Sequence, residues 1–437
     1  MFHLLGCVSL RPTAYHGAQT QKDKVRSGAA QVLHPTFAAM LSQILLGLSV
    51  FKLAEASPLI GSDLLERTLK PGQEILSTGA SKRFSAPIET NGFIHTVNIT
   101  IGTPPQHFNV SLDFESNEFF VPSVECTNHS YYCDAYLPFN KFNASTSRTY
   151  RPNGTRATAL YQGVEYHGPL SYDTIRISDL AIEQQLFMEY NESHAVTWFG
   201  TNWGYDGLLG LAPPWNSETK ESDPLPYPNY LRLLQDKQVL EENVMALKFP
   251  RRIGERGEIM FGGINPDLFT GDFAKAKIVG EDEVQDPFDA MYNIRAESVT
   301  FNSSVPFQLS LNSTPAVITT EPWIYLPREI FEVIYYGIGA KQLDILYSYI
   351  PCERRPFLPE LTFNIAGHDL TVNAFDYTYE VEMRLTPEKW VTVCLVSIGP
   401  SDDLGYEPIV LGSTFLRGFY TVFDLDNREI GFAQLKK

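Results

Sequence analysis

The sequence predicts a mostly β chain built as two lobes with few short helices, and three observations carry that expectation. Short alternating runs such as His95–Ile101 and Thr174–Ser178 are bounded by Gly, Pro or Asn turns, as strands in packed sheets are. Helical stretches are few; Tyr230–Gln235 and Arg328–Tyr336 have the i, i+3, i+4 apolar spacing of short surface helices. The chain has 437 residues, too many for one small domain, and its 13% aromatic content and 29 prolines suit a turn-rich body with a sizeable core. A net charge of −17 with no basic stripe argues against nucleic acid as a partner.

In chain order, residues 1–56 read as a leader. Phe37-Ala-Ala-Met-Leu-Ser-Gln-Ile-Leu-Leu-Gly-Leu-Ser-Val-Phe51 is the apolar core of a signal peptide, and Ala54-Glu-Ala56 has the small-x-small form of a cleavage site before Ser57. Gln43 and Lys52 interrupt the run, which is shorter than the roughly 20 apolar residues of a membrane span; a signal anchor is the alternative. The long polar stretch ahead of this core is unusual for a signal peptide, so Met40 is a candidate true start. Residues 57–88, with Arg67, Lys70, Lys82 and Arg83, look like a short propeptide. The expected destination is the exterior or an endolysosomal lumen, and any membrane contact is through the leader.

Cysteine usage agrees with export. Cys7 lies in the leader, which leaves Cys126, Cys133, Cys352 and Cys394 with three pairings open. A zinc site would need C-x-x-C or paired histidines, and neither spacing occurs. The triplet N-x-[ST] occurs at Asn98, Asn109, Asn128, Asn143, Asn153, Asn191, Asn302 and Asn312. Asn98 and Asn109 fall in strand-like text, where a glycan fits less readily.

The motifs of the body come next. Asn98-Ile-Thr-Ile-Gly-Thr-Pro-Pro-Gln-His-Phe-Asn-Val110, then Asp113, then Val121-Pro-Ser-Val-Glu-Cys126 resemble the opening of a pepsin-like aspartic peptidase of family A1. Residues 161–173 resemble that family's flap hairpin, Gly204-Tyr-Asp-Gly-Leu-Leu-Gly-Leu-Ala212 its buried first-lobe strand, and Gly257-Glu-Ile-Met-Phe-Gly-Gly-Ile264 the lobe junction. Ile409–Arg417 and Tyr420–Ala433 resemble its closing strands. The resemblance implies a bilobed acid protease fold over 89–437, with related β-barrel-like lobes at 89–270 and 271–437 flanking a central cleft. It further implies a monomer without cofactor or metal whose cleft takes a peptide or protein. By the same resemblance Cys126 pairs with Cys133 in a small loop and Cys352 with Cys394 in the second lobe.

The family's chemistry needs two aspartates sharing a proton, one activating a water and the other, protonated, donating to the substrate carbonyl. Asp113 aligns with one of them, but the usual Asp-Thr-Gly-Ser has become Asp113-Phe-Glu-Ser116. Phe114 removes a bracing hydroxyl, and Glu115 adds bulk and charge where a glycine is expected. In the second hairpin, Pro315-Ala-Val-Ile-Thr-Thr-Glu-Pro-Trp-Ile-Tyr-Leu-Pro327, the partner position falls on Ile318, or on Thr319 if one deletion is allowed. Glu321 is two or three residues displaced; along a strand a two-residue displacement is about 6 Å, too far to share a proton. Asp113 is therefore expected to be a lone remnant with one ordinary titration step. In the flap, Tyr161 matches the closing tyrosine, Gln162 and Val164 replace glycines to give a stiffer lid, and Phe120 stands where a tryptophan usually partners the tyrosine; both aromatics also read as packing residues. Asp424 and Asp426 read as structural. The expected function is a pseudo-peptidase that binds without cutting, and the alternative is an endopeptidase active at acidic pH.

Overall fold

The computed structural model describes residues 75–77, 82–126, 133, 140–195, 204–217, 229–280, 291–303, 306–343, 347–386, 389–404 and 409–436. The leader and the sequon at Asn128 lie outside them. Among the described residues no helix is long and apolar enough to cross a membrane.

Alternation in the sequence becomes sheet. Strand His95–Ile101 buries His95, Val97, Ile99 and Ile101 on one face, as a two-residue period requires. It belongs to a first-lobe sheet that bends until His95–Ile101 also pairs with Val164–Ile177, giving the barrel-like closure. The same sheet continues into antiparallel strands Phe84–Thr90, Gly257–Phe261, Val244–Lys248, Phe419–Asp424, Glu429–Leu435 and Phe269–Lys277. Here the chain's last strands lie beside those of the first lobe, Val244 opposite Asp424 and Lys248 opposite Tyr420, so backbone hydrogen bonds join the two halves. A seven-stranded sheet containing Asn293–Asn302, Phe307–Ile318 and Ile409–Leu411, and a four-stranded sheet containing Thr378–Thr386 and Lys389–Val396, form the second lobe. The bilobed, mostly β architecture is the one the sequence predicts.

The two predicted helices form at Tyr230–Asp236 and Arg328–Gly337. Asn229 caps the first, its side chain accepting from the backbone N–H of Arg232 at 2.8 Å. Both expected disulfides are present, Cys126 with Cys133 and Cys352 with Cys394. Two strands cross the boundaries drawn from sequence. Phe84–Thr90 pairs with Gly257–Phe261 through Phe84 opposite Phe261, so chain before residue 89 is part of the sheet, and Phe269–Lys277 runs through 270/271. Asp424 and Asp426 serve turns: Asp424 accepts from the backbone and side chain of Asn427, and Asp426 from Asn243.

Candidate active site

Each lobe carries a strand that ends at the cleft, turns, and returns on the far side of a short buried strand. In the first lobe Gln106–Asp113 runs parallel to Gly207–Gly210, with Asp113 opposite Gly210, and Phe119–Pro122 pairs antiparallel to the other edge. In the second, Phe307–Ile318 runs parallel to Ile409–Leu411, with Ile318 opposite Leu411, and Ile324–Leu326 returns antiparallel. Gly210 N–H donates to Glu118 O at 2.7 Å and Gly412 N–H to Trp323 O at 3.0 Å. Both crossings are so tight that a Cβ on Gly210 would meet Ser116 O at 2.4 Å and one on Gly412 would meet Glu321 O at 2.1 Å; only glycine fits. Matching the crossings sets Asp113 against Thr319, with the second turn one residue shorter. Of the two sequence candidates, Ile318 is instead buried in the core.

The local hydrogen bonds repeat the match. Glu115 N–H donates to Asp113 Oδ1 at 3.1 Å, and Glu321 N–H donates to Thr319 Oγ1 at 3.2 Å. Ser116 Oγ donates to Asp113 Oδ2 at 2.5 Å; Pro322 supplies no such donor in the second turn. Glu115 and Glu321 therefore occupy equivalent places. Neither has a positive φ, so a side chain at these positions costs space and charge rather than backbone strain.

That equivalence overturns the expectation of a lone carboxylate. Residues 319–323 lie beyond the end of a strand, so the 6 Å estimate does not apply, and the charge of Asp113 acts directly on Glu321. Three carboxyls, Asp113, Glu115 and Glu321, converge from both lobes. Burial raises the Asp113 pKa, opposed by hydrogen bonds from Ser116 and from the backbone of Glu115 and Ser116. Glu115 is raised well above the usual carboxylate range, first by burial and then by the charges of Asp113 and Glu321, against a hydrogen bond with the Thr319 side chain. Its Oε1 is buried and accepts no hydrogen bond among the described residues. Glu321 is pushed up to about 7 by burial and by Asp113. These groups titrate as a set.

The flap hairpin pairs Arg151–Tyr161 with Val164–Ile177 across a turn at Gln162 and Gly163, both at positive φ. A third strand, Glu192–Ala195, pairs along Val164–His167, which gives the lid extra backbone support. Tyr161 is 9% exposed, lies 3.3 Å by its hydroxyl from Ser111 Oγ, and meets Tyr205 edge-on at 5.9 Å. Its hydroxyl pKa is raised well above the ordinary value by burial and by the charges of Asp113 and Glu321, so the lid residue lies within electrostatic reach of the carboxyl set. Phe120 has other ring neighbours: it stacks on Tyr166 at 4.6 Å and meets Tyr190 at 5.9 Å. Tyr205 and Ser111, which the sequence reading missed, are the partners of Tyr161. Ser111 was open to detection, since it lies two residues before Asp113 on one strand face.

The sequence model described as eukaryotic aspartyl protease matches residues 95–435. The chain belongs to the eukaryotic aspartyl protease family. It is 32% identical over 346 residues to a vacuolar protease A of Aspergillus fumigatus, covering 77% of this chain and 78% of that protein. It is 30% identical over 345 residues to a cathepsin D of Chionodraco hamatus, covering 77% and 80%, and 29% identical over 340 residues to a renin-2 of Mus musculus, covering 77% and 78%.

Within this aspartyl protease fold, Phe114 takes the place of a bracing hydroxyl. It is fully buried and meets Phe423 edge-on at 5.2 Å, Tyr292 at 6.0 Å and Phe249 at 6.4 Å. The Tyr292 hydroxyl donates to Leu211 O at 3.1 Å, linking the second-lobe chain to the strand behind Asp113. Lobe contact beneath the site thus rests on aromatic packing, worth about 0.5–1.5 kcal/mol per well-placed pair beyond area burial.

Proposed function

We propose that the chain is an exported aspartyl protease homologue that binds a peptide or protein in its cleft without cutting it by the two-aspartate route. Asp113 is then a remnant of the dyad, and Tyr161 a lid over the bound chain. The observation that carries the reading is Thr319, matched to Asp113 by strand pairing and by the 3.2 Å bond from Glu321 N–H. A threonine hydroxyl neither ionises nor holds a transferable acidic proton near pH 5. Glu115, hydrogen-bonded to Thr319, adds a side chain in the space where two aspartates would hold a water. Processing after Ala56 and glycosylation accompany export; Asn98, Asn109 and Asn312 are solvent-exposed among the sequons. The vacuolar name of the Aspergillus relative favours an acidic lumen as the compartment, with the exterior as the other destination.

One observation favours a second reading, a working acid endopeptidase. Glu321, held at about 7 beside Asp113, carries a proton in acid and is poised as a donor. The test is incubation of the purified protein at pH 3–6 with a denatured protein substrate, with and without a statine-type inhibitor. No cleavage is expected; inhibitor-sensitive cleavage that disappears in Glu321→Gln would establish the second reading.

A further inference from the structure

We infer that Gln162, at the tip of the flap, is the bolt of a latch that holds the lid shut on the first lobe, so that a ligand enters the cleft after the lid has parted from Tyr205 and Ser111. The inference rests on the binding reading above and names how that site is gated.

The inner face of the lid is packed against the lobe. Two-residue alternation puts Ala159 and Tyr161 of one strand and Val164 and Tyr166 of the other on a common face, with Tyr161 opposite Val164 and Ala159 opposite Tyr166. All four are buried. With Phe120, Tyr190 and Tyr205 they belong to a hydrophobic cluster separate from the main core, in which Tyr166 stacks on Phe120 at 4.6 Å and meets Tyr190 edge-on at 4.8 Å. A hairpin with solvent beneath it would expose that face.

The turn at the tip has Gln162 at φ 48° and Gly163 at φ 74°. Two central residues at positive φ are the ordinary place of Asn-Gly; a glutamine there is held against its backbone preference, and such a residue persists where its surroundings fix it. What fixes Gln162 is its amide. Nε2 donates to the Tyr161 hydroxyl at 3.4 Å, and Oε1 accepts from the Tyr205 hydroxyl at 3.5 Å. One side chain thus ties the lid's own tyrosine to a tyrosine of the lobe beneath, and the two rings meet edge-on at 5.9 Å.

Tyr205 is a fixed post for this contact. The carboxylate of its neighbour Asp206 accepts from Asn109 N–H at 2.7 Å and from the backbone and side chain of Asn140 at 2.9 Å each, and Asp206 N–H donates to Asn109 O at 2.7 Å. On the cleft side, the Tyr161 hydroxyl lies 3.3 Å from Ser111 Oγ. Ser111 and Asp113 share a strand face, so a peptide lying against Asp113 has to part that contact. These hydroxyl contacts are long for hydrogen bonds, which suits a lid that holds and still opens. Apparent affinity then scales with the fraction of molecules whose lid is open.

The test reads the lid without a ligand first. The purified protein is nitrated briefly with tetranitromethane, and each tyrosine is followed by peptide mass spectrometry, with the 73%-exposed Tyr336 as internal standard. Gln162→Gly removes the bridge and keeps a turn that glycine adopts freely; it should raise the Tyr161 rate relative to Tyr336 at least about fivefold, as loss of two neutral hydrogen bonds implies, with no lower unfolding midpoint. Tyr205→Phe breaks the other end of the bridge and should shift the ratio in the same direction, and it decides the matter if Gln162→Gly proves less stable. The second readout is stopped-flow binding of a fluorescein-labelled statine-type peptide. Association should be at least about threefold faster in Gln162→Gly with dissociation changed less than about twofold, a split that a merely structural residue would not give. An unchanged nitration ratio in both variants overturns the latch and leaves the binding reading intact. A raised ratio with unchanged association overturns the gating of the cleft. Failure of the peptide to bind parent and variants alike overturns the binding reading, and the latch then stands or falls on the nitration ratio.

Discussion

Glu321→Gln tests the electrostatics of the site through folding stability, independently of any ligand. Glu321 is largely buried, and its pKa is held at about 7 against an ordinary value of 4.5. Between those values the folded chain holds a proton that the unfolded chain has released, so stability falls as pH rises through this window and is fully present below it. A shift of this size, at about 1.4 kcal/mol per pH unit, corresponds to at most about 3 kcal/mol lost by pH 8, since the side chain keeps some contact with water. Glutamine has nearly the same shape and cannot ionise. The variant should match the parent at pH 4 and exceed it by about 2–3 kcal/mol at pH 8. Urea unfolding at steps from pH 4 to 8, at fixed ionic strength and with disulfides intact, reads the difference as a shift in midpoint at constant slope. Parallel pH profiles for parent and variant, or a less stable variant at pH 8, would refute the claim that Glu321 ionises against Asp113 in a buried site.

Other substitutions probe the frame around these carboxyls. Phe114→Ala removes a fully buried ring from between Phe249, Tyr292 and Phe423; it should cost about 3–5 kcal/mol, seen as a lower unfolding midpoint at every pH. Gly412→Ala places a Cβ 2.1 Å from Glu321 O, and the variant should be recovered only as insoluble chain, assayed by the soluble fraction after expression. Thr319→Asp alone should not generate acid proteolysis, because Glu115 still lies against that position. Thr319→Asp combined with Glu115→Gly should give statine-sensitive cleavage of a denatured substrate; activity in T319D by itself would contradict the role given to Glu115.

The parts of this molecule that could be read from sequence are those whose physics is local. His95–Ile101 alternates, and it is a strand with those bounds; Tyr230 onward carries a helical stripe, and Asn229 caps it. The site was readable only in halves. Asp113-x-Glu115 and Thr319-x-Glu321 are visible as a repeat, yet counting residues along an assumed strand separated Glu321 from Asp113, because no local signal tells where Phe307–Ile318 stops. The contact of Glu115 with Thr319 crosses between chain segments some 200 positions apart and leaves no trace in either one. The backbone explains why both changes coexist. With neither glutamate at positive φ, a glycine in these turns answers to the room that a catalytic water and substrate need, and not to conformation. On the non-cutting reading proposed above, that room is open for side chains to enter from both lobes at equivalent points. The result is carboxyls from both lobes brought near one another, and burial there drives them toward the protonated, uncharged form.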